Sequence, residues 1–195
     1  MREISPAHNV TVEEFLGSMP QEFRAIVESI RAQKRAKTRP APSSTLMDQS
    51  SIANEALRRE LIDRVAAFVD ENLAGRSEMC EQFALLLARA LAKLGHPARA
   101  VVGEASYFNE GKKLFSWKHA WVRIGDEVID GNVDILFENP MIPKSVCVRP
   151  YWGPVSAIPT DRRLRQDHAA RAIEDTDVNE IWWPELEAWL SQFPI

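Results

Sequence analysis

The chain has 195 residues, with 28 acidic side chains against 24 basic ones and a formal net charge of −4. Hydrophobic residues make up 45% and charged residues 27%, which excludes an intrinsically disordered or collagen-like chain and supplies enough apolar material for a core without staples. The acidic balance offers no overall basic field for nucleic acid, and no apolar run reaches the ~18 residues of a membrane helix.

Residues 1–38 read as a helical N-terminal extension. Thr11 and Glu14 fit a capping box, and Pro20 suits the first turn of a second helix. Phe23, Ile26, Val27 and Ile30 share one face of that helix. The acid-free run Arg31, Lys34, Arg35, Lys37 and Arg39 reads as a solvated helix end, with a docking patch for an anionic partner as the alternative. Residues 39–51, rich in proline and serine, read as a linker or mobile loop.

The rest, 52–195, reads as the main domain, with its helices before its strands. A helix is expected from Ile52 to Leu73, with Leu57, Leu61, Ile62, Val65, Phe68 and Val69 as its buried stripe and Gly75 as its stop. A second runs from Ser77 to Leu94, closed by Gly95 and Pro97. Strands follow at 98–105, 113–124 and 128–133, the last two joined by a turn at Gly125-Asp126. Residues 162–174 read as helical, and 177–190 as a helix that Pro184 interrupts or kinks. The fold class is α+β.

The chemistry centres on Cys80. With Ser77 as N-cap, Cys80 falls in the first turn of its helix, where unpaired N–H groups and the positive dipole end favour a thiolate nucleophile. A partner base is at hand in Trp117-Lys118-His119-Ala120-Trp121-Val122-Arg123-Ile124. Strand alternation places Ala120, Val122 and Ile124 on the core side, and His119 with Trp117, Trp121 and Arg123 on the other. If Gly125-Asp126 is a two-residue turn, Asp130 faces Trp121 and lies diagonal to His119, within side-chain reach. Asn132 and Asp134 have the same parity and could substitute, but Asp130 is preferred because a strand holds a carboxylate more firmly than the loop beyond it. Trp117 and Trp121 either wall the site and contact substrate or simply pack. Arg99 is expected to anchor its strand to a carboxylate.

Cys80-Glu81-Gln82-Phe83-Ala84-Leu85, followed by Gly95-His96-Pro97-Ala98-Arg99, then His119-Ala120-Trp121-Val122 and Asp130, resembles the core of the transglutaminase-like superfamily. The resemblance spans about a third of the chain. It implies a papain-like fold, with the cysteine helix packed on an antiparallel sheet and a catalytic triad of Cys80, His119 and Asp130. It also implies acyl transfer from an amide of a protein or peptide through a thioester on Cys80, by hydrolysis or transamidation. Here the aspartate strand continues as Gly131-Asn132, where the family commonly has tryptophan and proline. Acetyl transfer of the arylamine N-acetyltransferase kind and a non-catalytic binding module on the same fold are the alternatives.

No cofactor is expected. His8, His96, His119 and His168 are scattered, and neither HExxH nor CxxC spacing occurs. Asp130-Gly131-Asn132-Val133-Asp134 starts like a calcium loop, but Ile135 and Met141 stand where an EF-hand needs glycine and glutamate. The opening residues lack the apolar segment of a secretory signal, so a cytoplasmic protein with Cys80 and Cys147 both reduced is expected.

Overall fold

The computed structural model describes residues 20–26, 29, 39–73, 75–138, 142–143, 145–170 and 172–192. The chain forms two compact units, Met1–Thr38 and Arg39–Ile195. Of the first, residues 21–26 are helical. The expected capping box at Thr11 and the basic run from Arg31 to Lys37 lie outside the described residues. Arg39 opens the second unit and is no solvated helix end: it binds Glu138 through two nitrogens, at 2.7 and 2.9 Å.

In the second unit, helices pack on a six-stranded, mostly antiparallel sheet. The strands are β1 (Met47–Asp48), β2 (Ala98–Asn109), β3 (Lys112–Ile124), β4 (Glu127–Asp130), β5 (Tyr151–Pro154) and β6 (Arg162–Gln166), in spatial order β1-β5-β4-β3-β2-β6. Among the described residues only the β1–β5 pair is parallel.

Two expectations are corrected. The stretch 39–51 is not a linker: it makes a 3-10 turn at Pro42–Ser44 and then strand β1 at the sheet edge. Proline and serine shape its turns, and pairing with β5 supplies a strand too short to show a period. Residues 162–166 are strand β6, not helix. Arg162-Arg163-Leu164-Arg165-Gln166 consists largely of good helix formers, but pairing with β2 overrides that weak preference.

Helix α1 (Glu55–Leu73) starts three residues later than expected because Asn54 caps it, its Oδ1 accepting the Leu57 N–H at 2.8 Å. Helix α2 (Cys80–Lys93) and helix α3 (Trp183–Leu190) complete the layer. Pro184 has no N–H and would clash with the carbonyl four residues back. The chain meets this with a π-helical turn over Val178–Trp182 just ahead of α3. Leu61, Ile62 and Val65 of α1 meet Phe83, Leu86, Leu87 and Leu91 of α2 over Ala120, Val122, Ile124 and Ile129 of the sheet. Trp182, Leu186 and Leu190 close this core.

The opposite face of the sheet is also covered. Ala105 and Tyr107 pack with Val133, Leu136, Ile142, Val146 and Val148 from the connection between β4 and β5. Beside them Val101, Trp121, Val128 and Tyr151 form a smaller cluster. The His119 side of β3 is therefore an interior. No described helix is long and apolar enough to cross a membrane.

Candidate active site

Cys80 is the first residue of α2 and is 8% exposed. Ser77 is not its cap: Met79 holds that position, and no side chain caps the helix. The first-turn amides therefore lack intrahelical and side-chain partners. Glu78 takes a left-handed φ of 66°, which turns the chain into the helix just ahead of the sulfur. Arg76 fastens this turn from inside. It binds both oxygens of Asp134 at 2.8 Å and Asp70 at 3.1 Å, while its carbonyl accepts from Asn132 Nδ2 and the Met79 N–H, each at 3.1 Å.

His119 comes from β3. Gly125 (φ 55°) and Asp126 make the two-residue turn, and the register Val122 to Ile129 carries on to set Asp130 opposite Trp121. Asp130 is then diagonal to His119, and Nε2 lies 2.8 Å from Asp130 Oδ1 with both side chains fully buried. Of the three candidates for the third member, Asn132 and Asp134 bind Arg76 and Asp130 binds the ring.

Arg162 is the member that sequence reasoning missed. Its Nη1 donates to Asp130 Oδ2 at 2.8 Å. Its Nε binds Asp161 at 2.9 Å and its Nη2 the Arg149 carbonyl at 2.5 Å. It comes from β6, on the far side of β2, so no local spacing announces it. Arg99, expected to hold a carboxylate, is exposed and lies opposite Arg123. Arg76 and Arg162 do the anchoring.

Charge follows from this geometry. Burial alone would drive the proton off His119, but Asp130 and then Cys80 outweigh burial and raise its pKa from 6.5 to about 10. Burial opposes ionisation of Asp130 too, yet His119 and Arg162 hold its carboxyl below the usual carboxylate range. These charges favour the protonated ring at neutral pH. Nε2 donates to Asp130. Nδ1, buried without a hydrogen-bond partner, carries the proton available for transfer.

The Trp117 ring stacks on His119, 5.7 Å between centroids and 16° from parallel. It lines a cavity of about 340 Å³ with Glu78, Cys80, Glu81, Gln82 and Lys118. Lys118 and Glu81 pair at 3.0 Å on its rim. Through Trp117 and Lys118 this space adjoins one of about 560 Å³ that runs over β2 to Arg165 and His168. Trp121 is 3% exposed, sits in the Val101 cluster and lines neither cavity. Cys147 is an exposed free thiol, and Cys80 a buried one. Among the described residues no group of three or more His, Cys, Asp or Glu side chains is placed to hold a metal ion.

No protein-family model and no curated protein matches the chain. Among solved structures the chain is similar to a structural-genomics crystal structure at 16% identity, over 74% of this chain and 78% of the other, with a TM-score of 0.48.

Proposed function

We propose that the protein is a cysteine-dependent acyl-transfer enzyme on a papain-like, transglutaminase-core fold, acting on an amide bond of a protein or peptide. The observation that carries this reading is the buried His119 ring, fixed by Asp130 on one nitrogen with the other left open, beside a cysteine that heads a helix and lines a cavity. A structural histidine has no need of an unpartnered buried nitrogen, which costs free energy where nothing uses it.

In the proposed reaction the Cys80 sulfur attacks the acyl carbon, and the carbonyl π electrons move onto oxygen. In this reading the Cys80 backbone N–H donates to that oxyanion. As the intermediate collapses, the C–N bond breaks and His119 Nδ1 gives its proton to the departing amine, leaving a thioester and a neutral ring. Water then attacks the thioester while His119 takes back a proton. The acid leaves, and the sulfur anion and imidazolium are restored. Asp130 keeps the ring oriented and supports its charge without itself taking up the proton. Hydrolysis is favoured over transamidation because the rim is open: the Lys118 and Glu81 side chains are 73% and 37% exposed, which gives water access to the thioester.

Brief alkylation with iodoacetamide, read by mass spectrometry, tests the nucleophile. Accessibility alone favours the exposed Cys147, so faster labelling of Cys80 supports an activated sulfur. With a panel of fluorogenic peptide amides, Cys80→Ala is expected to lower turnover by about 10⁴-fold or more at unchanged melting temperature. Full turnover in that variant refutes the reading.

A further inference from the structure

One short segment holds both the His119 ring and the turn that delivers Cys80. Asp130, the last residue of β4, binds His119 Nε2 at 2.8 Å. Two positions on, Asn132 Nδ2 donates to the Arg76 carbonyl at 3.1 Å. Two positions further, Asp134 takes the Arg76 guanidinium through both oxygens at 2.8 Å. The same Arg76 carbonyl accepts the Met79 N–H, which closes the turn immediately ahead of Cys80. The links are buried throughout: Asp130 and Arg76 are 0% exposed and Asn132 4%.

Gly131 sets how closely this segment approaches the cysteine helix. A Cβ there would stand 2.7 Å from Phe83 Cε1 and 3.0 Å from both Phe83 Cζ and Ile62 Cδ1. Gly131 does not take a left-handed φ, so the close contact, not the backbone conformation, is what excludes a side chain. Phe83 lies in the first turn of α2, with its N–H on the Met79 carbonyl at 3.0 Å. Phe83 and Ile62 are fully packed, so a methyl at 131 displaces the start of α2 or opens the core. Stability alone does not call for Arg76 here. A buried ion pair is a weak source of stability, whereas a guanidinium gripped through two parallel hydrogen bonds has a fixed orientation.

We propose that Gly131, Asn132 and Asp134, acting through Arg76 and the first turn of α2, are positioning residues that set the separation between the Cys80 sulfur and the His119 ring. This rests on the reading of Cys80 as the nucleophile. None of the four lines the cavities beside Cys80, so their effect falls on the sulfur and the ring and not on substrate binding.

Asn132→Ala removes the donor to the turn, and Gly131→Ala drives a methyl between β4 and α2. The readout is the ratio of Cys80 to Cys147 alkylation by iodoacetamide at neutral pH, well below the melting temperature. In each variant the ratio is expected to fall by about tenfold, the effect of weakening one close opposite charge by one pKa unit. The sign separates positioning from stability. Local opening exposes a buried thiol and raises the ratio, so lost stability does not produce a fall. Leu87→Ala, in the apolar core away from the turn, is the destabilised control and should match or exceed the wild-type ratio. An unchanged or raised ratio in either folded variant, whatever its melting temperature, overturns the proposal. If wild-type Cys80 leads Cys147 and the variants match wild type, only the positioning role falls. If wild-type Cys80 lags Cys147, the nucleophile reading falls and this proposal with it. Should Gly131→Ala fail to fold, Asp134→Asn replaces it, since it keeps the shape and removes the charge from Arg76, and the same fall in ratio is required of it.

Discussion

The two faces of the sheet bury opposite kinds of chemistry. Against the helices lie leucine, isoleucine, valine and alanine, non-directional contacts that stabilise in proportion to area. The other face carries His119, Asp130 and Arg162, bonded to one another, groups whose burial is costly unless each finds a partner. The comparison separates two tasks. The helix face holds the fold together. The loop face holds charges in fixed positions out of water, where they act strongly on one another. Cys80 belongs to the first face by packing and to the second by electrostatics, since α2 begins where the two meet.

Mutations that break one face and spare the other sharpen this division. The largest loss is expected for Arg162→Ala, which leaves the Asp130 carboxylate short of one buried partner. Removing one member of such a pair costs about 3–5 kcal/mol. Denaturant melts measure it, and the Cys80 alkylation rate should change with it. Leu87→Ala in α2 creates a cavity in the apolar face and is expected to cost about 2–5 kcal/mol in the same melts, with Cys80 reactivity unaltered. Equal effects of both variants on Cys80 reactivity would erase the distinction between the faces.

Titration gives a smaller, signed effect. The folded state keeps the His119 proton up to about pH 10, while the unfolded chain releases it near 6.5. The stabilisation from His119 is therefore full below about 6.5 and is lost as pH rises through about 10. Asp130 has the opposite sign: its contribution is present above the ordinary carboxylate value of 3.8 and is lost as pH falls through its lower folded value. Melts across the alkaline window should show declining stability in wild type and a flatter profile in His119→Gln. An equal slope in both would remove the ring from the ionic network. The smallest effect belongs to Asn54→Ala, which deletes the α1 cap for about 1 kcal/mol and leaves the alkylation profile of Cys80 where it was.

Much of the candidate site was legible because its spacing is local. Parity across one tight turn was enough to place Asp130 on the His119 face, since a two-residue loop admits one register. Asp130 was preferred over Asn132 and Asp134 because it lies in a strand, but what occupies the other two was not legible, since it depends on Arg76, which binds both. Arg162 was hidden further. It sits in a segment that reads as helix, and it reaches Asp130 only because β6 adds to β2 at the sheet edge. Trp117 and Trp121 were indistinguishable by alternation. Tertiary packing separates them, leaving Trp117 at a cavity and sealing Trp121 beneath the Val101 cluster.

By itself the sequence determined the α+β class, the α2 helix with Cys80 at its head, the β3–β4 hairpin and the apolar helix-facing stripe. All of these follow from periodicity and turn chemistry within a few residues of one another. The tertiary structure alone decided that the far side of the sheet is an interior, that 39–51 and 162–166 are strands, and that two arginines complete the ionic network. Those outcomes depend on which distant segments meet, and pairing energy between them exceeds the local preferences that can be read along the chain.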